Sequence, residues 1–521
     1  MRKESKLREL FLLGLAFCVA FTMLAIIPAE GLAAPKYGGT VKIAVARGPS
    51  QIGDPVARPF RLTDFRLSTP ILETLLRYDT KGMLVPWLAT GYKVAKDLKS
   101  ITISLRKGVK FQDGTDFNAA AVKWNLDRYR TSKNPELKAV SSIDILDSHT
   151  VKLNLSKWSS TLVDNFTLYP GIIISPAAFK ERGPDKIKLD PVGTGPFKLK
   201  SWQRDASLKL EKFDGYWQKG KPYLDGIEYV FIKTPMTRYA ALKAGEVDGV
   251  MIVEFQFLKD LMKTGKFYTL EPGLSNILIL LIGDSANKDS PFSDIRVRRA
   301  LNYAVDSKQL VETINHGYGE VLNQYGTKGS WGYNPNVKGY PYDPEKAKKL
   351  LAEAGYAKGL KFTMSCPGWG TFKYYPPAIQ EYFRKVGINV EIVSNNPGKH
   401  DGILYKGWKN LWMQQPGRQI IPDAANNLIV YASAMSGFGF KGTVSFPDDY
   451  MDALRKALEA PDFATKQKWT WEAQRLLIDK YCLINFIVTS PRVNVFNKKT
   501  HDINWEVTTT VHWTPEDAWK E

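Results

Sequence analysis

Residues 101–129, ITISLRKGVKFQDGTDFNAAAVKWNLDRY, change their hydrophobic period partway along. Ile101, Ile103 and Leu105 alternate with Thr102, Ser104 and Arg106, the two-residue period of a half-buried strand, and Val109 and Phe111 resume it. Asp113–Gly114 then supplies a turn whose glycine accepts positive φ. Asn118 is an N-cap, and Val122, Leu126 and Tyr129 fall on one face of the helix it starts. TVKLNL at 150–155 alternates again, so the region is an α+β unit of strand, turn, helix and strand. Such switching confines the chain to sheets covered by helices.

The same punctuation recurs. Leu72, Leu75 and Leu76 share one side of a helix that Tyr78–Asp79 terminates. In DPEKAKKLLAEAGY (343–356), Asp343 caps, Pro344 opens the first turn, Ala347, Leu350, Leu351 and Ala354 form a stripe, and Gly355 closes it. Trp469, Ala473, Leu476 and Leu477 mark another amphipathic helix. Strands and helices alternate through both halves, which predicts a mixed α/β class. No internal repeat, low-complexity segment or long linker interrupts them.

The first 34 residues read as a leader. Arg2, Lys3, Lys6 and Arg8 precede an apolar run over 10–27, Pro28 breaks it, and small residues follow at Gly31, Ala33 and Ala34. That is the order of a secretory signal peptide cleaved near Ala33 or Ala34. Cys18 sits mid-run behind Phe17, which argues against a lipoprotein cysteine; an uncleaved anchor is the remaining alternative, the run being about long enough to span a bilayer. What remains is too long for one core and predicts two or three domains. The net charge is +19, spread along the chain, and reads as a solvated basic surface or as attraction to an anionic membrane or an acidic ligand. Nucleic-acid binding is not expected. Cys366 and Cys482 are too few for a disulfide scaffold, and whether they meet is open.

Motifs for chemistry are absent. The five histidines are scattered without metal spacing, and neither a G-x-S-x-G elbow nor H-E-x-x-H occurs. Residues 437–442 match G-x-G-x-x-G, but run into TVSFP and cannot open a helix, as a dinucleotide loop must. VGTGPF (192–197) lacks the Lys-Ser/Thr of a phosphate loop. No enzyme, cofactor or metal site is expected.

Taken in order, PSQIGDP (49–55), ILETLLRYDTKGMLVPWLATGYKV (71–94), SLRKGVKFQDGTDFNAAAVKWNLDR (104–128), VGTGPFKLKSW (192–202), DGYWQKGKPYLDGIEY (214–229), AALKAGEVDG (240–249), DIRVRRALNYAVD (294–306) and YDPEKAKKLLAEAGY (342–356) resemble the family 5 extracellular solute-binding proteins of ABC importers, which include dipeptide, oligopeptide and nickel binders. The resemblance covers roughly residues 37–490. It implies a type II periplasmic binding protein fold, α/β, with two lobes joined by two crossing strands. Lobe I would comprise residues 35–275, with an extra α+β subdomain at about 71–189, and 486–521; lobe II would comprise 276–485. The crossings would lie in LEPGLSNILIL (270–280) and LINFIVTS (483–490). The implied function is capture of a small solute by hinge closure and its delivery to an inner-membrane ABC permease complex, by a monomer in the periplasm.

Peptide binders of the family carry a segment resembling GW-x-x-DYPDP-x-x-FL, whose first aspartate pairs with the ligand amine. Here GWKNLWMQQPGRQIIPDAANNL (407–428) matches only the second, at Asp423, with Gln419 and Ile420 where the first would stand. A desolvated ammonium without a carboxylate is costly, so a neutral or anionic ligand is expected: an oligosaccharide, an opine-like sugar acid or an amine-blocked peptide. The resemblance places Ser50, Gln51 and Ile52 in a cleft loop of lobe I, and Trp369, Lys373 and Tyr374 in one of lobe II. Trp412, Gln414, Gln415 and Arg418 replace the amine-binding segment. Each has a structural reading as well: Trp369 and Trp412 as core, Lys373 as solvated surface, Arg418 as partner of Asp423, and Asp423 as cap of the helix that AANNL begins. An ordinary peptide binder and a metal-chelate binder are the alternatives in this class; a secreted hydrolase and a chaperone-like binder lie outside it.

Overall fold

A computed structural model describes residues 34–57, 60–271, 277–418, 422–505, 513 and 515–521; the side chains of 277–278 and 415–418 lie outside that description, as does the leader over 1–33. Two sheets organise the chain. The first has seven strands in the spatial order Phe267–Leu270, Asn494–Asn497, Gly249–Val250, Thr40–Val45, Gly226–Phe231, Ser207–Lys212, Phe197–Gln203. Thr40–Val45 runs parallel to both its neighbours, and Val41, Ile43, Ala44 and Val45 are fully buried, as expected of a strand covered on both faces.

The second sheet has five strands in the order Ile388–Asn395, Leu360–Pro367, Leu411–Arg418, Ile277–Gly283, Asn485–Ser490. Helices Ile295–Tyr303, Pro344–Glu353 and Tyr375–Lys385 pack into the core on one face, and Ala424–Ala432, Asp448–Leu458 and Phe463–Arg475 on the other. The chain passes from Phe267–Leu270 of the first sheet to Ile277–Gly283 of the second, and returns from Asn485–Ser490 to Asn494–Asn497. This is a two-lobed α/β architecture with two connections. Among the described residues, no helix is long and apolar enough to cross a membrane.

A four-stranded antiparallel sheet (Ala89–Val94, Ser100–Leu105, Thr150–Leu155, Val140–Asp147) carries the unit read at 101–129. Asp113 accepts from Thr115 N at 3.0 Å, Gly114 takes φ +85°, and Asn118 caps Ala119–Thr131 by accepting from Ala121 N at 3.1 Å. Val122, Leu126 and Tyr129 are then buried against Ile101, Ile103 and Val151. Asp343 likewise caps Pro344–Glu353, accepting from Lys346 N at 2.9 Å, and Gly355 lies just past that helix at φ +93°. Residues 437–442 open no helix; the next begins at Asp448.

The helix expected around Leu72–Leu76 is not formed. A helix lies earlier, at Leu62–Ser68, and Leu76–Tyr78 is a strand paired with Leu84–Pro86. The carbonyls of Pro70 and Ile71 accept from Phe197 N and Gly195 N, each at 3.0 Å, not from residues four ahead. That contact also explains VGTGPF: a Cβ on Gly193 would stand 2.2 Å from Ile71 O, and one on Gly195 2.4 Å from Pro70 O. Leu72, Leu75 and Leu76 are buried from several sides, so their helical spacing carried no helix.

Beside this contact lies Glu73, fully buried. Its carboxylate accepts from Trp87 Nε1 (2.7 Å), Thr194 Oγ1 (2.8 Å), Tyr216 Oη (2.9 Å) and Trp217 Nε1 (3.1 Å), with the Arg77 guanidinium at 3.8 Å. Residues from ILETLLRY, VGTGPF and DGYW thus meet on one carboxylate. Burial raises its pKa despite these donors. Cys366 and Cys482, whose pairing was open, are both free and buried; Asn302 Nδ2 donates to Cys482 Sγ at 3.1 Å.

Candidate functional site

The segment after Thr40–Val45 is held by the following helix. Ser50 is exposed and donates through its backbone N–H and its Oγ to the Asp64 carboxylate, at 2.8 and 2.7 Å. Gln51 is mostly buried, its Nε2 donating to Ala57 O at 2.6 Å. Ile52, expected to line the cleft, is fully buried and belongs to the first core; its N–H is fixed to Lys188 O at 2.9 Å. Ser50 is the exposed one of the three, Gln51 shapes the loop, and Ile52 contributes packing.

In the second half, Trp369 precedes the turn Gly370–Tyr374, half-buried and edge-on to His400 at 5.4 Å. Lys373 is exposed, with its ammonium 5.0 Å over the Tyr374 ring, and Tyr374 is itself 55% exposed. The turn rests on the returning strand. Tyr375 Oη donates to Asn315 Oδ1 at 2.5 Å, and Asn315 Nδ2 donates to Thr489 O at 2.8 Å. Gln414 is fully buried and donates from Nε2 to Phe372 O at 3.2 Å, so it supports the turn from beneath.

Trp412 is a correction. Its ring is 1% exposed, with Phe383, Phe362 and Phe292 at 5.0, 5.4 and 6.1 Å, and it is core. Trp412, Met413 and Gln414 are buried in succession, as in a strand covered on both faces, so the residue type gave no sign of a cleft position. The side chains of Gln415 and Arg418 lie outside the described residues, as do Gln419 and Ile420 entirely. In backbone register Arg418 pairs with Ile277, which pairs in turn with Ser490; the three meet where both connections leave the second sheet.

Asp423 caps Ala424–Ala432, accepting from Asn426 N at 3.1 Å, and its other oxygen accepts from Lys466 Nζ. Lys466 also donates to Asp164 Oδ2 and Ser160 O, each at 3.2 Å, and Tyr78 Oη donates to Asp164. The Asp164 pKa is pushed up to about 7: burial and the neighbouring Asp423 outweigh the ammonium, since one cation serves two carboxylates. Lys466 is held above its ordinary value by the two acids, which outweigh its burial. Sequence reasoning missed Lys466 and Asp164. They lie 302 positions apart, and Lys466 carries no local mark that separates it from a solvated helix lysine.

A family model for bacterial extracellular solute-binding proteins, family 5 Middle, matches residues 83–435. The glutathione-binding protein GsiB of Pectobacterium atrosepticum is 34% identical over 356 residues, 64% of this chain and 68% of that protein. GsiB of Salmonella choleraesuis is 35% identical over 344 residues, 62% and 65% respectively. Among solved structures, the periplasmic binding protein AgaA of A.tumefacien R10, in complex with agropinic acid, superimposes with a TM-score of 0.71 at 27% identity, covering 93% of this chain and 99% of that one. HbpA2 of Haemophilus parasuis superimposes at 0.81 with 21% identity, covering 93% and 100%, a likeness of fold alone.

Proposed function

Because the chain belongs to the bacterial extracellular solute-binding proteins of family 5, the non-enzymatic binding components of ABC importers, we propose that it captures a neutral or anionic solute without a free amine in a cleft between its two halves. The observation that carries this reading is the engagement of Asp423. In the segment 407–428 it is the only acidic residue, and it is committed to its own helix and to Lys466. A ligand ammonium entering there meets no free carboxylate, whereas Lys373 and Arg418 suit a carboxylate or phosphate. The likeness to AgaA, whose structure holds agropinic acid, supports an opine-like sugar acid; an oligosaccharide or an amine-blocked peptide meets the same condition.

The cleft would lie between a first lobe of residues 35–275 with 486–521 and a second of 276–485, with the extra subdomain at about 71–189. Ser50, Trp369, Lys373, Tyr374, Gln415 and Arg418 would meet the ligand, and Gln51 and Gln414 would hold their loops. Closure removes the ligand from water, and ligand favours closure only by its extra affinity for the closed form. The protein would act as a monomer in the periplasm, its leader cleaved near Ala33 or Ala34, and would hand its solute to a membrane permease.

A second reading is an ordinary peptide ligand, favoured by the 34% identity to glutathione-binding proteins, glutathione being a tripeptide with a free amine. The two separate in one experiment. The protein is purified from its native periplasm without denaturation, unfolded, and the released compound identified by mass spectrometry. A single stoichiometric compound with a carboxylate, phosphate or sugar and no free amine supports the first reading. Glutathione or a mixture of free-amine peptides overturns it.

A further inference from the structure

The last carbonyls of a helix have no partner within it, and the helix Asp448–Leu458 ends on Ala457 and Leu458. Their partners come from the other half of the molecule. Ser160 Oγ donates to Ala457 O at 2.7 Å and Ser160 N to Leu458 O at 2.6 Å, while Trp158 Nε1 donates to Ala460 O at 3.0 Å. Ser160 lies just before the turn Val163–Thr167, whose Val163 and Phe166 belong to the first core; Leu454 and Ala457 lie in the second half's helices. Six residues on from Ala460, Lys466 reaches back across the same seam to Ser160 O and Asp164 while holding Asp423 on its own side.

We infer that residues 158–164 form a closing contact between the halves, in which Lys466 is the positioning residue. The inference rests on the hinged, two-lobed reading above. Each half is equipped for separation: on opening, Lys466 keeps Asp423 as its counter-charge and Asp164 keeps the hydrogen bond from Tyr78, so neither half is left with a charge lacking every polar partner. On closing, the ammonium gains a second carboxylate and a helix end gains its cap. Both arrangements are internally satisfied, which is what a two-position element requires. The hydrogen bonds of the contact run between protein atoms, so they add a bias toward the closed form that needs no ligand, and thereby affect the affinity for whatever solute the cleft takes.

The test measures distances in the ligand-free full chain. Nitroxides are placed at exposed positions of the two halves through Leu146→Cys and Tyr405→Cys, Cys366 and Cys482 being buried and Cys18 replaced by serine. Pulsed dipolar spectroscopy then compares the parent with Asp164→Asn, Ser160→Ala and Lys466→Arg. Asp164→Asn is expected to raise the ratio of long to short distances by about tenfold or more, Ser160→Ala to raise it less, and Lys466→Arg to stay close to the parent. A lower melting temperature with unchanged distances in Asp164→Asn and Ser160→Ala overturns the inference. If Asp164→Asn does not fold, Ser160→Ala, which leaves every charge in place, decides alone. No ligand enters the measurement, so it stands whether or not the released compound matches the proposed class.

Discussion

Asp423 and Lys466 form a buried ion pair in which the carboxylate also starts its own helix, one oxygen turned to each task. Asparagine caps a helix as well as aspartate but cannot neutralise an ammonium. Because Lys466 keeps Asp164 as a counter-charge, Asp423→Asn should cost about 1.5–3 kcal/mol, and Asp423→Ala about 1 kcal/mol more, read by urea denaturation. Equal losses in the two variants would remove the cap from this account.

Stability should fall between about pH 4 and pH 7. Asp164 and Glu516 are raised to about 7, from ordinary values of 3.8 and 4.5. Burial is the main cause for both. Asp164 faces Lys466, Asp423, Tyr78 and Tyr92; Glu516 faces Arg77, Glu73 and Asp517. The native state holds protons there that the unfolded chain releases, so this stability is fully present below about pH 4 and lost as pH rises through 7. Urea midpoints across the range check the sign, and Asp164→Asn should flatten the slope.

Trp412 and Arg418 stand six residues apart and should fail differently. Trp412→Ala empties a pocket among Phe292, Phe362 and Phe383 and should cost about 3–5 kcal/mol. Arg418→Gln should leave the melting temperature unchanged and weaken binding of the released solute about tenfold or more, measured by calorimetry. Unchanged affinity would remove Arg418 from the site.

The thiols of Cys366 and Cys482 are both pushed up to about 11 by burial. A chromogenic disulfide reagent should find neither in the native protein and both after unfolding, and reductant should not change the melting temperature. Fast reaction at either would contradict its burial.

What could be read in advance follows how far each cause lies along the chain. Asp113, Asn118 and Asp343 bond to backbone two or three residues on, and such causes are visible in any short window. Leu72, Leu75 and Leu76 misled because the spacing i, i+3, i+4 also arises wherever a chain is buried on several sides. Ile52 and Trp412 misled because a place in a recognised segment does not say which way a side chain turns, and both turn into a core. Lys466 was out of reach altogether, since its meaning lies in Asp164, which only the fold brings near.

Glu73→Ala should be among the most damaging single changes, about 3–5 kcal/mol, because two indoles and two hydroxyls lose one acceptor together. Those donors include the residues by which the chain is recognised at all, and none of them is among the positions proposed to meet solute. The Glu73 cluster, a mark of kinship, therefore stands apart from the positions proposed to meet solute, of which only Ser50 falls inside a recognised motif, PSQIGDP. An engineer seeking a new sensor could exchange the others and leave that mark of ancestry legible.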